Sequence, residues 1–165
     1  MGHIRYASDV GAPVEVAFTY TDNYLFVPDW MFAIAAFEPL GDAGHGPGAV
    51  YTATLQAGIW HPTVTCEITE YRNNAVIGYT VRGRRPGKAA SARSGRPLAT
   101  VTLRFDPLGP GSSMLTFEAG YPTRSNRMPA AVTDSIARTA VRRTEQRLRR
   151  QIEDFHGTDL VGRIA

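Results

Sequence analysis

Pro129–His156 reads PAAVTDSIARTAVRRTEQRLRRQIEDFH. Within it Val132, Ile136, Ala140, Thr144, Leu148 and Ile152 recur every fourth residue, and Ala137, Val141 and Phe155 widen the same stripe. That spacing is one apolar face of a long amphipathic helix. Pro129 suits a first helical position and Gly157 suits the stop after the last turn. Asp134 with Arg138, Glu145 with Arg149 and Arg150 with Asp154 are i,i+4 pairs expected on the wet side. Such a helix runs roughly 40 Å at about 1.5 Å per residue, so its stripe needs a broad apolar partner. Nearly everything between Phe32 and Tyr121 reads as strands, so that partner is expected to be a sheet.

Upstream, His3–Val10 alternates weakly, with Ile4, Tyr6 and Ser8 on one side, and predicts a first strand. Val14, Ala17 and Phe18 then fall at helical spacing over Pro13–Tyr20, with Glu15 in the first turn, and Asp22 and Asn23 break the pattern. Tyr24–Phe26 reads as a second short helical turn that ends before Val27-Pro28, because a residue preceding proline is pushed out of the helical region. Trp30–Leu40 is apolar and aromatic and reads as a strand. The glycine-rich turn Gly41–Gly48 follows, and then Ala49–Ala57, Thr63–Tyr71, Ala75–Arg82, Leu98–Phe105 and Ser113–Tyr121 alternate and are rich in Val, Thr, Tyr or Phe. Gly58 with Pro62, Asn73-Asn74 and the run Asp106–Gly111 separate them. Strands and helices segregated in this way predict an α+β fold with an antiparallel sheet.

At 165 residues the chain is expected to form one domain, and 43% hydrophobic content is enough for a real core, which excludes disorder. The longest apolar run, Trp30–Phe37, is far short of a membrane span. Arg5, Ser8 and Asp9 interrupt any signal-peptide core, and Tyr6 stands where myristoylation wants Ser or Thr. A cytoplasmic location is therefore expected. A single cysteine, Cys66, excludes an internal disulfide and a cysteine-based metal cluster, and His3, His45, His61 and His156 show no metal spacing, so neither metal nor cofactor is expected. The net charge of +3 sits on one loop: Arg82–Pro97 holds Arg82, Arg84, Arg85, Lys88, Arg93 and Arg96 without an acid, and the rest of the chain carries −3. That loop lacks the interleaved aromatics that stack on bases, which argues against nucleic acid; it reads first as a solvated loop, and its functional alternatives are a guard at the pocket mouth, an acidic protein partner such as a carrier protein, or a ligand's anionic head. The glycine turn has no following Gly-Lys-Ser/Thr and precedes a strand, so it reads as a tight turn and not as a phosphate cradle.

The order strand, two short helices, about six strands, long helix resembles the helix-grip fold of the SRPBCC superfamily, whose members include birch-pollen allergens, START lipid-transfer domains and polyketide cyclases/dehydrases. Gly41–Gly48 is similar to the glycine loop of the allergen-type members, and Val27-Pro28-Asp29-Trp30 is similar to the segment after their paired helices. The resemblance implies a curved antiparallel sheet of about seven strands wrapped around the C-terminal helix, with a cavity between them, as one START-like ligand-binding domain over residues 1–165.

Alternation independently predicts which side chains face inward. These are Ala49, Tyr51, Ala53, Leu55 and Ala57; Val64, Cys66 and Ile68; Ile77, Tyr79 and Val81; Ala99, Val101, Leu103 and Phe105; and Leu115, Phe117, Ala119 and Tyr121. The inner face of the sheet thus carries hydroxyls and a thiol but no carboxylate and no histidine, which suits a hydrophobic small molecule of lipid, polyketide or isoprenoid type. The expected ligand-binding residues are Tyr24, Trp30, Tyr51, Leu55, His61, Cys66, Tyr79, Phe117, Ile136 and Ala140. The bland accounts of the same residues are core packing for the tyrosines, Trp30 and Cys66, and an exposed turn for His61. The alternative function is a polyketide cyclase, aromatase or dehydratase in which His61, Tyr51, Tyr79 and Arg82 supply the proton donors and acceptors. A third reading is an interaction module that meets its partner through the basic loop.

Overall fold

The computed structural model describes residues 2–42, 44–56, 58–59, 61–83, 97–121 and 130–164, with the side chains of 130, 132, 133 and 158–164 set aside. The basic residues 84–96 and Pro129, with the readings that rest on them, lie outside the described residues. The elements run β1 (Gly2–Val10), α1 (Val14–Asp22), a 3-10 turn (Tyr24–Phe26), α2 (Val27–Trp30), β2 (Ile34–Pro39), β3 (Val50–Leu55), β4 (Thr63–Arg72), β5 (Val76–Gly83), β6 (Pro97–Gly109), β7 (Ser112–Tyr121) and α3 (Ala130–Ile164). All seven strands form one antiparallel sheet in the order β1-β7-β6-β5-β4-β3-β2, and α3 packs across its concave face, touching β1, β7, α1 and α2. This is the α+β helix-grip architecture.

The inward alternation holds along the sheet. Tyr51, Ala53, Cys66, Ile68, Ile77, Tyr79, Leu103, Phe105, Leu115 and Phe117 are all buried. Burying a large apolar side chain of this kind contributes about 1.5–3 kcal/mol. The β2–β3 loop turns on Gly41, Gly46 and Gly48 at φ +101, +88 and +80°, so its glycines serve backbone geometry as expected.

Four boundaries and faces differ from the sequence reading. Trp30–Leu40 is not one strand, because α2 takes Val27–Trp30 and the strand starts only at Ile34. Val27 stays helical at φ −55°, ψ −42° despite Pro28, which occupies the first turn of a new helix, where its missing N–H costs nothing. Strand β6 continues through Asp106–Gly109, where a turn is expected. Beyond Phe105 only β7 pairs with it, and a register shift between Pro107 and Gly109 accommodates the proline. Helix α3 passes through Gly157 to Ile164, since one helix-interior glycine costs only about 1 kcal/mol.

The fourth difference is the rotation of α3. Val141, Thr144, Leu148 and Ile152 are buried, but Ile136 is 55% exposed. At 3.6 residues per turn a strict i,i+4 row drifts about 40° around the helix at each step, so a row that faces inward at Ile152 has wound outward at Ile136. The true stripe runs Ala137, Val141, Thr144, Leu148, Ile152. The same rotation turns Glu145 inward, to 6% exposed, where its carboxylate accepts from the Ser8 hydroxyl on β1 in place of the expected pair with Arg149. Asp134 and Arg138 do pair, at 2.8 Å.

Candidate functional site

The first half of the α3 stripe is built from small residues, and so are the strand positions it faces. Ala137, Ala140, Val141 and Thr144 on α3 stand opposite Ala99 and Val101 on β6 and Phe117, Ala119, Gly120 and Tyr121 on β7, with Met31 from the α2–β2 turn at one end. Val101 and Ala119 are cross-strand partners, as are Thr100 and Gly120, so the small side chains lie side by side. Short side chains on both layers leave a cleft of about 200 Å³ between helix and sheet. In the second half Leu148 and Ile152 are completely buried and bring α3 onto its neighbours. The helix therefore has an anchoring half and a half that stands off.

The polar groups of the cleft are few. Thr144 accepts from the Phe32 amide at 3.1 Å, which ties the α2–β2 turn to α3. At the other end the Tyr121 hydroxyl donates to Asp134, whose second oxygen accepts from Arg138 Nε at 2.8 Å. The bond to Asp134 holds the Tyr121 phenol above its ordinary value, and the bonds from Tyr121 and Arg138 hold the Asp134 carboxyl below the usual carboxylate range. A depressed carboxyl contributes stability that is present above its unfolded pKa and is lost as pH falls through the folded value. Asp134→Asn is therefore expected to lower Tm at neutral pH, by at most a few degrees because the Asp134 and Arg138 side chains are exposed, and to match the native chain in strong acid. Thermal melts of both chains from pH 7 downward check this, and a difference that grows toward low pH would contradict it.

Of the residues expected at the site, Phe117 and Ala140 line this cleft. Most of the others gather over β3–β5. Tyr51 is 1% exposed, stacks on Phe37 at 4.5 Å and donates to the Gly44 carbonyl at 2.7 Å, so its hydroxyl secures the glycine loop. Burial above all pushes its phenol up to about 12. Tyr79 is buried in an edge-to-face pair with Phe37, and burial raises its phenol well above the ordinary value. Burial likewise pushes the Cys66 thiol to about 12, which makes it an inert core group. Trp30 is completely buried, and its indole N–H meets no acceptor among the described residues. Tyr24 lies on a separate hollow with Gly44 and His45, Leu55 is half-buried at the end of β3, and His61 is exposed in the β3–β4 turn. Ile136 points to solvent.

The cleft residues absent from that expectation are Met31, Ala99, Val101, Ala119, Gly120, Tyr121, Ala137, Val141 and Thr144. Their signal was a coincidence of small residues: alanines on the inner faces of two adjacent strands and again along the first half of the helix. Met31 gave no such signal, because its segment read as strand.

A seven-stranded sheet gripping a C-terminal helix, with an apolar cleft between the two, defines a hydrophobic ligand-binding fold. Residues 1–154 match the family described as polyketide cyclase / dehydrase and lipid transport, and the chain belongs to that family, within the SRPBCC superfamily. Among solved structures the chain is similar to a START superfamily protein from Mycobacterium smegmatis, at 13% identity and TM-score 0.72, covering 93% of this chain and 98% of the other. It is similar to a conserved protein from Geobacillus kaustophilus, at 14% identity and TM-score 0.71, covering 94% and 97%. It is also similar to the Zhui aromatase/cyclase from a Streptomyces species, at 15% identity and TM-score 0.67, covering 92% and 93%. At these identities the likeness is one of fold. No curated protein matches the sequence. No helix among the described residues is long and apolar enough to cross a membrane.

Proposed function

We propose that this chain is a cytoplasmic binder of a hydrophobic small molecule of lipid, polyketide or isoprenoid type, held between the first half of α3 and strands β6 and β7. The observation that carries the reading is the cleft itself: about 200 Å³ lined by alanine, valine, phenylalanine and methionine. An open cleft with so apolar a lining favours an apolar guest. Native mass spectrometry of gently purified protein, followed by titration with lipids and a fluorescent apolar probe, tests it. Saturable one-to-one binding is expected, and probe fluorescence that rises without saturation would contradict it.

A catalytic reading has one observation in its favour: Tyr121, hydrogen-bonded to Asp134, sets a phenol on the cleft wall. In that reading Tyr121 takes the acid–base role expected of His61 and Tyr51, since neither of those lines the cleft. Tyr121→Phe with binding retained and turnover of a polyketide-like substrate lost would support it, and unchanged turnover would remove Tyr121 from the chemistry.

A further inference from the structure

The turn between α2 and β2 places an aromatic ring at one end of the cleft. Met31 lines the cleft, and the next residue, Phe32, donates its amide to Thr144, another cleft residue. The half-buried Phe32 ring carries two charges: the guanidinium carbons of Arg143 and Arg147 lie over it, 5.2 and 5.8 Å from its centroid. Both arginines are exposed on α3. Each stands three residues beyond a cleft residue, Ala140 and Thr144, and residues so spaced are neighbours on a helix surface. With Gln146 and Arg150 they line a hollow to which no carboxylate contributes. Among the described residues neither Arg143 nor Arg147 has an ion-pair or hydrogen-bond partner. Like charges at i,i+4 repel and oppose the helix that carries them. Phe32 thus holds together two cations that have no counter-charge among the described residues, beside the mouth of an apolar cleft.

We infer that Arg143 and Arg147 receive an oxyanion, a carboxylate or phosphate monoester, carried as the head of the apolar molecule that the cleft takes, so that the ligand is an anionic amphiphile. A guanidinium held against a ring by its face keeps its N–H donors at the edge, and those donors fork onto the paired oxygens of a carboxylate or phosphate. The ring also holds two long side chains in place through cation–π attraction, so less of their rotamer freedom is left to lose when the head arrives. A neutral head leaves both charges without a counter-ion, and a cationic head is repelled. Head-group charge therefore selects among molecules that share one apolar body. The inference rests on the apolar-cleft reading and adds the head group to it.

The test is displacement of a bound fluorescent apolar probe from the full chain, at low salt, by octan-1-ol, octanoate and octyl phosphate, with inorganic phosphate as a fourth competitor. The two octyl anions are expected to displace the probe at concentrations at least about tenfold below octan-1-ol, and added salt should narrow the gap. Inorganic phosphate at the same concentrations should leave the probe in place. Arg143→Gln combined with Arg147→Gln keeps much of each stem and removes both charges, so the octyl anions should fall back to the affinity of octan-1-ol. Both positions are exposed, so the melting temperature of that variant should stay within a few degrees of the native value. Arg142→Gln removes a charge one residue away, outside the hollow, and should leave the preference standing. Saturable displacement by octan-1-ol with no advantage for the anions would overturn the inference and leave the cleft reading intact. So would an advantage that survives the double variant, one that Arg142→Gln removes as fully, or displacement by inorganic phosphate as strong as by octyl phosphate. Failure of all three octyl compounds to displace the probe would overturn the cleft reading and this inference with it.

Discussion

Ala140→Trp is expected to leave the fold standing and to weaken apolar-probe binding by more than tenfold, a loss of about 1.4 kcal/mol or more. Ala140 is half-buried on α3 and lines the cleft between the helix and the Phe117–Tyr121 stretch of β7. An indole placed there grows into space that the guest would otherwise occupy. Forcing the same bulk into a close-packed core typically costs ~1–3 kcal/mol. For a domain of this size each 1 kcal/mol moves Tm by about 2–4 °C. A thermal melt and a probe titration on the one variant therefore separate a cleft from a core. A Tm close to that of the native chain with binding abolished supports the cleft, and a Tm several degrees lower would show that Ala140 packs directly on the sheet.

Leu148→Ala tests the other half of the same helix and is expected to do the opposite. Leu148 is completely buried in the part of α3 that anchors the helix, next along the stripe from Thr144 and before Ile152. Truncating a buried leucine loses its transfer free energy and leaves a cavity, about 2–5 kcal/mol in all. That should lower Tm by on the order of 10 °C. Probe affinity measured well below the transition should change little, because Leu148 does not line the cleft. Scanning calorimetry on the variant checks the first part and probe titration the second. A Tm within 2 °C of the native value would mean that α3 is not held by this half of its stripe.

Much of this architecture was legible in the sequence because strands advertise themselves by a period of two. Val64, Cys66 and Ile68, or Leu115, Phe117 and Ala119, state their inner face unambiguously, and the structure buries all six. The helix was harder to read, since its period is not an integer. Counting by fours assigned Ile136 to the sheet and Glu145 to solvent, and 3.6 residues per turn reverses both. The partner that makes a buried Glu145 tolerable, Ser8, lies 137 residues away, and no local pattern announces such a bond. Val27-Pro28 misled because proline excludes helix before it but welcomes helix after it, and here Val27 accepts the constraint at the start of a new turn.

The site was less legible than the fold, for a related reason. Tyr51, Tyr79 and Cys66 stood out by their chemistry, yet the interior spends Tyr51 on the glycine loop and buries Tyr79 and Cys66 in close packing over β3–β5. A cavity is made by what side chains lack. Ala140 was expected at the site and Ala99 and Ala119 on the inner face, but none of them carries a functional group, and it is the β6–β7 register and the rotation of α3 that set them face to face with Gly120 and Ala137. The packing of the Tyr20, Phe26 and Phe155 rings on one another joins residues from three separate elements, with Phe155 read as part of the core stripe, and is likewise a property of the assembled helices.

The central claim is that an apolar molecule occupies the space between α3 and strands β6–β7. Nuclear Overhauser contacts from a saturating apolar probe to isotope-labelled protein test it most directly. The account predicts cross-peaks to the methyl groups of Ala99, Ala119, Ala137, Ala140 and Val141 and to the ring of Phe117, with none to the exposed methyl groups of Ile136. Binding that never saturates, or contacts confined to residues outside this set, would contradict it.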